Sequence, residues 1–133
     1  MGKLYLYTDG GSRNNPGQAA IGVVLMDSDK VLEKFGKKIG IATNNIAEYS
    51  ALIAGLEIAA KHSPKELICF MDSELVVKQL TRIYRIKETS LRNLAIRVKT
   101  IEKQFDMVQF KYIPRERNSM ADSLVNAALD NLL

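Results

Sequence analysis

The sequence predicts an α/β protein in which one mixed β-sheet carries helices on both faces. Three observations support this fold class. Residues 1–40 have the pattern of a three-stranded meander, a strong helical period follows, and two short apolar strands then alternate with helices. The predicted element order is β-β-β-α-β-α-α-β-α, and a length of 133 residues favours a single domain over 1–133.

The meander is predicted from alternating residues and from one turn. Lys3 to Thr8 alternates apolar and polar residues, and 20–26 is a second apolar run. The polar cluster 27–30 is typical of a tight turn, so 31–39 is expected to return as an antiparallel third strand.

The later elements are predicted from apolar spacing and from breaker residues. They are a helix over 45–61, a strand over 66–71, helices over 72–81 and 91–103, a strand over 107–113, and a final helix that Asn118 or Ser119 caps and that runs to about 132. Thr43 or Asn44 can cap the first helix. The strand 66–71 has the apolar composition of a buried parallel strand.

Composition and charge narrow the function classes. No segment approaches the ~20 apolar residues of a membrane span, and no secretory signal is visible, so a cytoplasmic protein is expected. The single cysteine, Cys69, excludes a disulfide framework or a cysteine-rich zinc site within one chain. Between residues 61 and 117, thirteen Lys or Arg oppose seven Asp or Glu, which fits either a nucleic-acid partner or a solvated basic surface.

Four carboxylates, Asp9, Glu48, Asp72 and Asp122, are predicted at strand ends or in first helical turns. Each has a local explanation as a turn residue, a partner of the helix dipole or a capping residue. However, Asp9 and Asp72 end strands that are expected to be parallel neighbours, and the other two can cross over those strand ends. Such a cluster needs a cation, and oxygen ligands favour Mg²⁺. Two ions about 4 Å apart would suit phosphodiester displacement.

The chain carries an ordered set of motifs, which are Thr8-Asp9-Gly10-Gly11-Ser12, Asn15-Pro16-Gly17, Thr43-Asn44-Asn45-Ile46-Ala47-Glu48, Asp72-Ser73 and Ala121-Asp122. Together they resemble the type 1 ribonuclease H family. The resemblance covers essentially the whole chain and implies the ribonuclease H-like fold, with a five-stranded sheet in the order 3-2-1-4-5. It also implies an endoribonuclease that hydrolyses the RNA strand of RNA–DNA hybrids and leaves 5′-phosphate and 3′-hydroxyl ends.

The resemblance also implies a cofactor and a role for each carboxylate. Asp9 would bridge two Mg²⁺ ions, for which Mn²⁺ is expected to substitute. Asp122 would help to hold the ion that activates water, while Glu48 and Asp72 would help to hold the ion that stabilises the leaving 3′-oxygen. The expected partner is the hybrid duplex, with no membrane and no obligatory protein partner.

Substrate contacts are expected near glycines, amides and cations. The 2′-hydroxyl that separates RNA from DNA lies in a shallow minor groove, which amide groups and bare backbone can approach. The predicted substrate-binding residues are Gly10, Gly11, Asn15, Thr43, Asn44, Asn45, Glu74, Lys78, Arg85, Lys87, Arg115 and Arg117. By similarity to the family, Asn15, Asn44 and Asn45 would touch the minor groove and Thr43 a DNA-strand phosphate. Turn and cap chemistry is the local alternative for the same asparagines, and the two roles are compatible.

Three departures from the family pattern affect these expectations. Many members carry a histidine in the loop before the last aspartate; here that loop, 113–121, has none, and the only histidine is His62 at a helix end. Some members carry a long, tryptophan-rich basic protrusion, whereas this chain has no tryptophan and a short connector over 82–87, so salt-sensitive binding is expected. Glu74 stands where relatives often carry an amide.

Two alternatives remain open at this point. The chain could be a catalytically weak or inactive duplex-binding module that keeps the carboxylates. It could also be a junction resolvase or transposase-like nuclease on the same fold, because fold alone does not decide the substrate.

Overall fold

The computed structural model describes residues 2–133. Its elements follow the predicted order. They are β1 (Lys3–Ser12), β2 (Gly17–Asp27), β3 (Lys30–Ala42), α1 (Asn44–Ala60), β4 (Glu66–Met71), α2 (Glu74–Thr81), α3 (Thr89–Glu102), β5 (Met107–Tyr112) and α4 (Ser119–Leu129), with 3₁₀ turns at Ile83–Arg85 and Arg115–Arg117. The five strands form one sheet in the order β3-β2-β1-β4-β5, which confirms the predicted fold class and strand order.

The sheet changes character at β1. On one side β1 is antiparallel to β2 as far as Ser12, and on the other it is parallel to β4 only as far as Tyr7, which pairs with Phe70. The stretch from Thr8 to Ser12 therefore has a strand partner on one side only. This offset between the two pairings, called the step in the sheet below, leaves β1 without a strand partner on its β4 side from Thr8 onward.

The helices form two layers, one on each face of the sheet. The larger core lies between the sheet and α1, α2 and α3, and it contains buried side chains such as Leu6, Leu52 and Val98. A smaller cluster, with Ala20 and Val125 at its centre, lies under α4 on the opposite face. Burial of these apolar surfaces fixes both helix layers against the same central strands.

Two glycines let helices approach the backbone of the sheet. A Cβ atom on Gly10 would lie 2.2 Å from the carbonyl carbon and oxygen of Ala47 in α1. A Cβ atom on Gly22 would lie 2.2 Å from the carbonyl oxygen of Ala121 in α4. Only glycine permits contacts this close, so α1 and α4 lie directly on β1 and β2.

Several element boundaries differ from those predicted from sequence, and three of them lie in elements that carry the site carboxylates. β1 continues to Ser12, so Asp9 lies inside a strand rather than at its end, because pairing with β2 persists through the glycines. α1 begins at Asn44, which places Glu48 just beyond the first turn rather than within it. α4 ends at Leu129, earlier than predicted.

Capping residues account for two helix starts. The Thr43 hydroxyl accepts a hydrogen bond from the Ile46 N–H at 3.2 Å and caps α1. The Ser73 hydroxyl accepts one from the Val76 N–H at 3.3 Å and caps α2, so Asp72 does not serve as the cap. No helix in the described part of the chain combines the length and apolar character that crossing a bilayer requires.

Candidate active site

The four predicted carboxylates line one open cleft of about 520 Å³ at the carboxyl end of β4. Asp9 comes from β1, Glu48 from α1, Asp72 from the turn after β4, and Asp122 from the first turn of α4. One carboxylate oxygen from each of Asp9, Glu48 and Asp72 lies within 4.8 Å of the others. Residues far apart in sequence therefore meet at the step in the sheet.

Backbone contacts hold two of these carboxylates in place. The Gly10 N–H donates to Glu48 Oε1 at 2.5 Å. This hydrogen bond joins β1 and α1 where the lack of a Cβ on Gly10 lets the two backbones approach each other. Asp9 is only 5% exposed, within the strand that carries Gly10. The glycine after Asp9 thus places both carboxylates together.

The electrostatics of the cluster are unfavourable without a cation. Burial raises the pKa of Asp9 well above its ordinary value, and the charges of Glu48 and Asp72 raise it further. Burial also raises the pKa of Glu48. The hydrogen bond from the Gly10 N–H favours the charged carboxylate and therefore opposes this rise. Like charges this close resist joint ionisation. An oxygen-only donor set that resists ionisation fits a hard divalent cation, which would restore the charged forms.

Some predicted substrate-binding residues lie at this cleft. Gly10, Gly11, Asn44, Asn45 and Arg115 line it. The Asn44 side chain also orders the local backbone, because the Ser12 N–H donates to Asn44 Oδ1 at 2.7 Å. This amide therefore has a structural role at the rim of the cleft.

Asn15 and Thr43 lie next to the cleft without lining it. The Asn44 N–H donates to Asn15 Oδ1 at 2.9 Å, and Thr43 is the cap that precedes Asn44. Both residues therefore support the start of α1, where Asn44 and Asn45 lie.

The remaining predicted contacts lie away from the cleft. Lys78 is 3.4 Å from the Glu74 carboxylate in an exposed pair on α2. The Arg85 guanidinium lies 5.5 Å from the centre of the Tyr84 ring, and Lys87 is exposed on the same connector. Arg117 lines a separate small cavity of about 180 Å³. A role for these residues requires a substrate long enough to reach them.

Several residues at the cleft were not predicted from sequence. Arg13, Ser73 and Asn126 line it, and Asn126 Nδ2 lies 3.5 Å from Asp122 Oδ2, one helical turn earlier. The four-residue spacing on α4 was a signal that could have found Asn126. Asn118, predicted only as a cap, instead donates from Nδ2 to the Thr8 carbonyl at 2.9 Å.

Comparison with known proteins identifies the family to which this fold belongs. A family model described as "Reverse transcriptase-like" matches residues 7–128. The crystal structure of RNase H1 from Halobacterium salinarum superposes with a TM-score of 0.92 at 42% identity, covering 97% of this chain and 98% of that one. LC11-RNase H1, solved in complex with an RNA/DNA hybrid, gives a TM-score of 0.90 at 41% identity, covering 97% of this chain and 98% of that one.

Named relatives are also similar to this chain in amino-acid sequence. Ribonuclease HI of Halobacterium salinarum is 43% identical over 131 residues, which is 98% of this chain and 66% of that protein. A bifunctional protein of Mycobacterium tuberculosis is 42% identical over 130 residues, which is 96% of this chain but 36% of that protein. The chain thus spans between about a third and two thirds of these relatives. It belongs to the type 1 ribonuclease H family.

Proposed function

We propose that this chain is an endoribonuclease that hydrolyses the RNA strand of RNA–DNA hybrids and leaves 5′-phosphate and 3′-hydroxyl ends. The observation that carries the proposal is the cluster of Asp9, Glu48 and Asp72 oxygens within 4.8 Å, on a chain of this family. The complex of LC11-RNase H1 with an RNA/DNA hybrid supports the choice of substrate.

The same four carboxylates would hold two divalent cations, which we take to be Mg²⁺, with Mn²⁺ as a substitute. Asp9 is the most buried of the four, and Glu48 and Asp72 act on its pKa through their charges, as Glu48 and Asp122 do through hydrogen bonds. When bound, such ions would activate a water molecule and offset the charge that develops on the leaving 3′-oxygen.

The residues of the chain supply position and charge around that chemistry. Gly10 holds the Glu48 carboxylate through its N–H. Arg115 lines the cleft, where a guanidinium can bind a phosphate oxygen but cannot act as a base at neutral pH. None of the described residues that line the cleft is a histidine, and His62 instead contacts Glu33 at 2.5 Å. Solvent is therefore the proposed source of the proton for the leaving group.

Substrate choice is assigned to the amides at the rim. Asn44 and Asn45 lie at the cleft, with Asn15 behind them, where they can reach the minor groove and its 2′-hydroxyls. Thr43 and the cations of α2 and the connector would contact DNA-strand phosphates. The buried free thiol of Cys69 is typical of a reducing compartment, so a cytoplasmic location is part of the proposal.

A cleavage assay tests the proposal. The purified chain is incubated with end-labelled hybrid, RNA duplex, DNA duplex and branched DNA, with and without Mg²⁺ or Mn²⁺. Wild type should cut hybrid only with metal, and Asp9→Asn should reduce the rate by about 10³-fold or more, because one ligand and its charge are removed. The matched control, Asp29→Asn in the exposed β2–β3 turn, should keep the wild-type rate.

Two results would overturn the proposal in different ways. Hybrid binding without metal-dependent cleavage by wild type would make the chain a duplex-binding module. Cleavage of branched DNA in preference to hybrid would make it a nuclease of another specificity on the same fold.

A further inference from the structure

Asn118 lies at the junction between the 3₁₀ turn Arg115–Arg117 and α4, and it is only 1% exposed. It occupies the N-cap position of α4 but makes no side-chain capping bond. Its amide points back to the sheet instead. Nδ2 donates to the Thr8 carbonyl at 2.9 Å and lies 3.5 Å from Asp72 Oδ2, the weaker of the two contacts.

The amide lies where strand pairing stops. The ladder between β1 and β4 ends at Tyr7 and Phe70, so the Thr8 carbonyl is the first group of β1 beyond it. On the other side of the gap, the Met71 carbonyl accepts from the Ile113 N–H at 2.9 Å. Asn118 therefore connects β1 and the segment after β4 at the point where backbone bonds no longer do. The residues that follow Thr8 and Met71 are Asp9 and Asp72.

A third contact reaches the last carboxylate. The Asp122 N–H donates to the Asn118 carbonyl at 3.1 Å, which is the first hydrogen bond of α4. One buried residue thus touches the segments that carry three of the four site carboxylates. Replacing the Asn118 side chain would remove the contacts with the segments of Asp9 and Asp72 and leave the backbone bond to Asp122 in place.

The orientation of the amide is determined by its donors. Asn118 Oδ1 is buried and has no hydrogen-bond partner among the described residues. If the amide were reversed, its oxygen would face the Thr8 carbonyl and the Asp72 carboxylate, which are both acceptors. The NH₂ group is therefore the functional end of this side chain, and its unpaired oxygen is a cost that those two contacts offset.

We propose that Asn118 is a positioning residue that sets the separation of Asp9 and Asp72 and thereby the affinity of the cleft for divalent cations. This inference rests on the proposed function, since it assigns the cluster to metal binding. It makes no claim that Asn118 touches substrate. A purely structural asparagine would instead contribute to folding and leave the folded site unchanged.

The test compares Asn118→Leu and Asn118→Ala with Val98→Ala. Both Asn118 variants remove the NH₂ donor. Leucine keeps a side-chain volume similar to that of asparagine, whereas alanine has a smaller side chain. Val98 is fully buried in the α3 core and is not among the cleft residues, so its truncation reports destabilisation alone. Folding is checked by thermal unfolding, Mn²⁺ affinity by calorimetry, and hybrid cleavage by steady-state kinetics.

In the folded Asn118 variants the Mn²⁺ dissociation constant should rise about tenfold, as for other residues that orient metal ligands. At fixed Mn²⁺ the kcat should fall by a similar factor while KM for hybrid changes less than about twofold, because the amides at the rim are untouched. Val98→Ala should lower the unfolding temperature and leave the Mn²⁺ affinity unchanged.

Wild-type Mn²⁺ affinity in either folded Asn118 variant would overturn the positioning role, as would equal weakening in Val98→Ala. Loss of cooperative folding in both Asn118 variants would also overturn it, in favour of a purely structural role. If wild type fails to cut hybrid while the Asn118 effect on Mn²⁺ affinity persists, the proposed function fails and the positioning role stands.

Discussion

The carboxylate cleft and the basic connector over 82–87 are built by different means. At the cleft, backbone lies against backbone at Gly10, and Asp9 is 5% exposed. On the connector, Ile86 is buried but Tyr84 is 67% exposed, and its neighbouring cations face solvent. The cleft is thus held at Gly10 by a contact that leaves no room for an added atom, whereas the connector depends on charge that several side chains can supply.

Cavity size does not separate the two regions. A groove of about 660 Å³ beside the connector is larger than the cleft, yet it is lined by Leu80, Thr81, Ile83, Tyr84, Arg92, Ile96, Lys99 and Phe110, with no carboxylate among them. The smaller cleft holds all four acids. Chemistry follows the convergence of charged groups rather than volume.

The largest effect should follow from a single methyl group at the cleft. In Gly10→Ala the new Cβ would lie 2.2 Å from the Ala47 carbonyl, so α1 or β1 must shift. We expect the free energy of unfolding to fall by about 3 kcal/mol or more, at the upper end of overpacking effects. Denaturant unfolding monitored by circular dichroism measures this decrease.

Gly11→Ala is the matched control for that substitution. Its Cβ would lie 3.5 Å from Val125 Cγ1, an ordinary contact, so stability should change by less than about 1 kcal/mol. Equal destabilisation in the two variants would show that the close approach of α1 is not what makes the cleft intolerant.

A smaller effect, of opposite sign, is expected from removing the ionisable group of Asp9. Asp9→Asn should stabilise the metal-free protein at pH 8 by about 1–3 kcal/mol, because folded wild type must keep a proton on this buried acid that the unfolded chain releases freely. The same variant should lack the stabilisation that Mg²⁺ gives wild type. Thermal unfolding with Mg²⁺ and with a chelator measures both effects.

The pH dependence of stability is an independent test of whether Asp9 destabilises the metal-free protein. The folded protein keeps a proton on Asp9 up to a pKa of about 9, whereas the unfolded chain releases it near its ordinary value of about 4. The unfolded state therefore binds fewer protons between these limits, and the stability of metal-free wild type should fall as pH rises through this window. In Asp9→Asn the slope should be shallower; an unchanged slope would assign the cost to other groups.

Sequence predicted the cleft better than it predicted what holds the cleft. Asp9, Glu48, Asp72 and Asp122 could be found because each lies close to a strand end or a helix start predicted from sequence, where the patterns of the elements are clear. The hydrogen bond from Asn118 to Thr8 spans 110 residues and depends on where a strand ladder ends. No local pattern contains that information.

The connector shows a different limit to what can be predicted from sequence. Its cations are visible in sequence, but charge does not fix where an exposed side chain lies. Arg85 lies over Tyr84, and Lys78 pairs with Glu74, so each has a neighbour within its own segment. Sequence therefore predicts that this surface is positively charged, but it does not predict where the exposed side chains lie.

The smallest effect per residue is expected on the connector side. Replacing Lys78, Arg82, Arg85 and Lys87 together by glutamine should weaken hybrid binding and flatten the slope of log affinity against log salt by about 0.9 for each phosphate that is no longer neutralised. Fluorescence anisotropy with labelled hybrid over a salt series measures the slope, in Ca²⁺ to prevent turnover. The matched control removes the exposed β3 charges of Lys30, Lys34, Lys37 and Lys38. If the control flattens the slope as much, the connector contributes only general charge; if neither does, substrate is held by the rim of the cleft alone.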